Sequence, residues 1–150
     1  MGDFVIGVIV GVIIMVFAVP CEAVTFYGPY DVEVVEVKDG DTNKMEVQVW
    51  LGLHANIAIR VAGIDTAEKG WRARSDCERE DSRIATGLTV SFLINKQITI
   101  SNVRWGKYAG RAIADVSADG QDLGTALLAS GYAVPYKGGK KQPWECIDNE

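Results

Sequence analysis

Three short stretches of this 150-residue chain bring together carboxylates and guanidinium groups, the side chains that hold cations and grip anions. The first is Asp39-Gly40-Asp41-Thr42, which on its own reads as the punctuation of a hairpin. The second is Ile59-Arg60-Val61-Ala62-Gly63-Ile64-Asp65-Thr66-Ala67-Glu68, an apolar strand interrupted by one arginine and closed by Asp-Thr-x-Glu. Strand interiors seldom tolerate an unpaired cation, so Arg60 belongs either to a structural ion pair or to a site. At period two Arg60, Ala62 and Ile64 share a face, which puts Arg60 on the approach to the strand end bearing Asp65. The third is Lys107-Tyr108-Ala109-Gly110-Arg111, cationic residues opening another strand; taken singly it is an ordinary solvated edge.

In this order and at these spacings the three stretches resemble the thermonuclease (staphylococcal-nuclease-like) family, whose signatures are a D-G-D-T turn, an I-R-L-x-G-I-D-x-P-E segment and a K-Y-G-R strand. The resemblance runs from about Val34 to Trp144, and it takes in Asp119-Gly120-x-Asp122-Leu123-Gly124 and Pro135-Tyr136-x-Gly138-Gly139-Lys140. It implies a hydrolase: a Ca²⁺-dependent endonuclease that cuts phosphodiester bonds of DNA, and of RNA given the family's tolerance. Carried over position by position, it makes Asp41 and Asp65 carboxylate ligands of Ca²⁺, with the Thr66 carbonyl as a third. Glu68 becomes the carboxylate that orients or deprotonates the attacking water, and Arg60 and Arg111 the clamp on the scissile phosphate. Lys107 and Tyr108 resemble contacts to a neighbouring phosphate and base, and Tyr136, Lys137, Lys140 and Lys141 either extend that groove or form plain surface. The alternative is a catalytically inactive nucleic-acid-binding module on the same fold; the presence of all five charged positions favours the enzyme.

Two positions depart from the pattern. Ala67 stands where the family has proline, so the loop presenting Thr66 lacks about 1 kcal/mol of stiffening. Two residues separate Tyr108 from Arg111 where the pattern has one, so either a bulge at Ala109-Gly110 absorbs the difference or Tyr108 and Arg111 do not both face the site.

The elements that must position these groups are legible as well. Alternation from Tyr30 to Lys38, from Met45 to Leu51 and an apolar stretch from Ile57 to Ile64 predict three strands, with His54 in the hairpin loop between the last two. A helix follows, capped by Ser75 or Asp76, with Ile84, Leu88 and Phe92 at helical spacing and an end near Asn95. Two further strands, Gln97 to Val103 and Ala109 to Val116, flank the connection from Arg104 to Tyr108, and Leu123, Ala126 and Leu127 outline a short closing helix. The expected fold is mainly β with helices (α+β): a five-stranded OB-fold barrel plus two helices, preceded by an N-terminal hydrophobic segment.

That segment, Phe4 to Val19, reads as a signal peptide, with Cys21-Glu22-Ala23 as the cleavage site, or as a membrane anchor over residues 4–19. The expected organisation is therefore a leader over 1–23 and one nuclease domain over 24–150, secreted or periplasmic, monomeric, and touching a membrane only through the leader if it is uncleaved. The chain carries a formal charge of −5, roughly −3 without Asp3 and Glu22, so a nucleic acid must be held by a local basic cluster or with the help of a bound cation. Cys77 and Cys146 are the candidates for one disulfide in an exported chain, with two unpaired thiols as the alternative.

Overall fold

The computed structural model describes residues 25–107 and 110–147; the expected leader over 1–23 and Tyr108 lie outside them. Among the described residues the chain forms β1 (Tyr30–Asp39), β2 (Thr42–Trp50), β3 (Leu53–Val61), β4 (Ile64–Asp65), a 3-10 turn (Gly70–Arg72), α1 (Asp76–Leu93), β5 (Ile98–Trp105), β6 (Arg111–Ala118), β7 (Gln121–Asp122), α2 (Leu123–Ala129) and β8 (Val134–Pro135). The long strands lie in the order β3-β2-β1-β5-β6, and β3 pairs in parallel with β6. That last pairing closes the sheet into a five-stranded OB-type barrel, mainly β with two helices against it.

Period-two alternation is what fills the barrel. Met45 and Val47 on β2, Ile59 and Val61 on β3, and Ala112, Ala114 and Val116 on β6 all turn inward and are buried. Each large aliphatic side chain so placed contributes about 1.5–3 kcal/mol relative to exposure. Leu123 and Leu127 of α2 cap the same core. Among the described residues no helix is long and apolar enough to cross a membrane.

The structure corrects several local expectations. His54 is not in a loop: the turn is the apolar Leu51-Gly52, Gly52 supplies the positive φ (75°), and His54 already pairs with Gln48 inside β3. The third strand stops at Val61, because Gly63 (φ 77°) breaks it and β4 leaves to pair with β8. Arg104 and Trp105 belong to β5 rather than to the connection after it. The expected bulge at Ala109-Gly110 includes Ala109, which lies outside the described residues, and a separate bulge falls on β5. Ser101 pairs with Asp115 but Arg104 with Ile113, so the bulge lies at Asn102-Val103, where Asn102 takes φ 51°, while β6 starts at Arg111 after a turn through Gly110 (φ 78°).

Helix α1 buries a largely polar face, with Phe92 packed beside it against the core. Ser75 caps it, its side chain accepting from the Glu78 N–H at 3.1 Å. The residues it buries are Glu78, Asp81, Ser82, Ala85, Thr89 and Leu93, whereas Leu88 is exposed. Glu78, Asp81 and Thr89 on that face are spent on the loops around the site.

Candidate active site

Arg60, near the end of β3, stands opposite Thr42 of β2 and Ile113 of β6. Its Nη1 donates to Asp41 Oδ1 (2.6 Å), and its Nη2 donates to Asp65 Oδ1 (2.7 Å) and to the Ile64 carbonyl (3.2 Å). Arg60 is thus a buried ion-pair partner of both carboxylates, and it also lines a cleft. Asp41 receives in addition the Thr42 hydroxyl on Oδ1 (2.9 Å) and the Thr66 N–H on Oδ2 (3.1 Å). Burial pushes the Asp41 carboxyl above the ordinary aspartate range, Arg60 pulls it back, and neighbouring Asp39 adds to the rise. For Arg60, burial works against the charge, but Asp41 and Asp65 outweigh it and raise its pKa.

Three buried polar residues of α1 fix the segments that carry these groups. Thr89 Oγ1 donates to the Gly40 carbonyl (2.8 Å), holding the β1–β2 turn. Glu78 accepts from the N–H groups of Glu68 (3.3 Å) and Arg74 (2.7 Å), holding the connection from β4. Asp81 accepts from Trp144 Nε1 (2.8 Å) and the Ile147 N–H (3.1 Å), holding the tail. The approach of α1 to the turn requires glycine at 40, since a Cβ there would lie 2.9 Å from Ala85 Cβ and 2.9 Å from Thr66 Cγ2.

The tail returns across the site. After β8 pairs with β4, the Tyr136 N–H donates to the Gly63 carbonyl (2.8 Å), and the Arg60 guanidinium lies 5.4 Å from the Tyr136 ring centroid. Lys141 then places Nζ 2.7 Å from Asp65 Oδ1 and 2.6 Å from Glu68 Oε1. Burial alone would raise the Glu68 carboxyl, but Lys141, then Arg72 and Arg60, hold it below its ordinary value. Burial would likewise lower the Lys141 ammonium, and Asp65 and Glu68 keep it raised. Cys77 and Cys146 form a disulfide (Cα–Cα 5.9 Å) that ties this tail to the start of α1.

These groups border a cleft of about 650 Å³. Of the residues singled out in the sequence, Asp41, Arg60, Thr66, Glu68, Lys107, Arg111 and Tyr136 line it. Asp65 instead lines an adjoining cavity of about 250 Å³, with Glu68 and Lys141 bordering both. Sequence reasoning did not single out Lys69 and Arg72, and did not foresee that Lys141 would reach the acids. With them the lining holds six cations (Lys69, Arg72, Lys107, Lys141, Arg60 and Arg111) against the carboxylates of Asp39, Asp41 and Glu68. The local field is therefore opposite in sign to the net charge of the chain. No sequence signal marks Lys141, whose partners lie more than seventy residues upstream.

Among the described residues no group of three or more His, Cys, Asp or Glu side chains is gathered as a ready metal cage. The donor chemistry nevertheless suits a hard cation: Asp39, Asp41, Asp65 and Glu68 offer oxygen alone, and Asp39 Oδ1 is buried without a hydrogen-bond partner among the described residues. Compared with models of known protein families the chain matches none, and it matches no curated protein.

Proposed function

We propose that this chain is a Ca²⁺-dependent nuclease that hydrolyses phosphodiester bonds of DNA. The observation that carries the reading is Arg60, held between Asp41 and Asp65 at the wall of a cleft that Glu68, Lys107 and Arg111 also line. Three of its five N–H donors are engaged among the described residues, which leaves two for an anion. The resemblance of the three motifs to thermonucleases agrees with this arrangement.

In the proposed reaction the oxygen of water adds to phosphorus while its proton passes to the Glu68 carboxylate. The bond to one ester oxygen then breaks and that oxygen, taking a proton from solvent, leaves with the neighbouring sugar as its hydroxyl. Arg60 and Arg111 meet the charge that accumulates on the phosphoryl oxygens, and each such donor is worth on the order of 3–4 kcal/mol at the transition state. Asp41, Asp65 and the Thr66 carbonyl would hold Ca²⁺, which would supply further positive charge to offset the negative charge of the diester. Lys107 and Tyr136 take the flanking phosphate and base. The disulfide suits an oxidising compartment, in keeping with an exported protein.

One observation favours a second reading, a nucleic-acid-binding module without activity: Lys141 already neutralises Asp65 and Glu68. Incubating the purified chain with DNA at millimolar Ca²⁺, with and without chelator, separates the two. Chelator-sensitive degradation supports the nuclease, and intact DNA in both arms removes it.

A further inference from the structure

Four tryptophans are present, and among the described residues the Trp144 indole N–H is tied down, donating to Asp81. The other three project into solvent: Trp71 is 91% exposed, Trp50 74% and Trp105 69%. Leaving an indole in water forgoes the gain of burying a large apolar surface, so its position asks for a reason.

Two of the three adjoin the cleft. Trp71 occupies the 3-10 turn between Lys69 and Arg72, both of which line it, and the Arg72 guanidinium lies 5.9 Å from the Trp71 ring centroid. Trp105 ends β5 directly before Gly106 and Lys107, which line the cleft from another segment, and the Gly106 N–H is bonded to the Arg111 carbonyl at 3.0 Å. Each indole therefore stands beside cations that face the cleft, on a turn held at its base. Trp50 is just as bare but sits at the β2–β3 hairpin tip, where neither it nor its neighbours border the cleft.

Resting on the nuclease reading, we propose that Trp71 and Trp105 are nucleobase platforms, each stacking a base whose phosphate is held by the adjoining cleft cations. Flat aromatic faces interleaved with cations accept any base, because every base presents a π-face, and they carry a strand past the reacting phosphate on two sides.

The test is binding of a fluorescent single-stranded oligothymidylate to the full chain carrying Glu68→Ser, in Ca²⁺, followed by anisotropy. Trp71→Ala and Trp105→Ala are each expected to weaken binding at least about 5-fold, the lower end of a lost stacking contact, and Trp→Phe at either position to restore part of it. Trp50→Ala, the equally exposed control, stays within about twofold. On a strand of the same length built of abasic nucleotides, the Trp71 and Trp105 variants bind like their parent. The proposal is overturned if Trp71→Ala and Trp105→Ala behave like Trp50→Ala, if their losses persist on the abasic strand, or if the parent binds neither strand. DNA cleavage by the unsubstituted chain reports separately on the nuclease reading, so the two can fail independently.

Discussion

Lys141 and Glu68 form an ion pair, Nζ to Oε1 2.6 Å, through which the C-terminal tail closes on the acid proposed to activate water. The same ammonium holds Asp65, so one tethered cation already sits on a carboxylate that the proposed function assigns to a mobile one. Lys141→Met is expected to tighten Ca²⁺ binding about tenfold, equivalent to about 1.4 kcal/mol, measured by calorimetry without any substrate. Because Glu68 and Lys141 are both partly exposed, the accompanying loss of stability should stay near 1 kcal/mol. Unchanged or weaker Ca²⁺ affinity would show that the lysine does not compete for the site.

Removing the groups assigned to the chemical step should separate turnover from folding. Glu68→Ser and Arg111→Gly are each expected to lower the turnover number by about 100-fold or more, with melting temperatures within a few degrees of the parent. Near-normal rates in both would refute the assignment.

The Cys77–Cys146 bridge closes a loop of 69 residues along the chain. In the chain-entropy account its removal costs about 4 kcal/mol. Cys146→Ser should therefore lower the urea midpoint and steepen the slope, because the unfolded chain is released from its loop, and Trp144 fluorescence should report loosening of the tail from Asp81. A midpoint equal to that of the oxidised parent would count against it.

At Gly40 the prediction concerns space. Gly40→Ala puts a methyl group against Ala85 and Thr66, and is expected to cost about 1–3 kcal/mol in chemical denaturation while lowering activity through the displaced Asp41 and Thr66. Full stability and activity together would mean that the turn can retreat from α1 freely.

Much of this architecture is legible in the sequence. Alternation over Tyr30–Asp39 and along β6 specifies barrel strands because each has one wet and one dry face, and Arg60 announces itself as a cation in an apolar strand. What stays hidden depends on contacts distant in sequence. The buried face of α1 cannot be read from Ile84, Leu88 and Phe92, since the helix buries Glu78, Asp81 and Thr89 to satisfy backbone and side-chain groups of three other segments. The hairpin turn escaped because its residues, Leu51-Gly52, lack polar punctuation other than the glycine. Lys141 is one of several tail lysines, and only the fold separates it from Lys140.

That Thr89, Glu78 and Asp81 project from one helix has a dynamic consequence. Segments that would fray separately at the surface instead share the opening free energy of α1. Under native-state hydrogen exchange, the Glu68, Arg74 and Ile147 amides should then exchange as one cooperative group with α1. A single loosening of that helix would disperse the β1–β2 turn, the carboxylate loop and the tail in the same event.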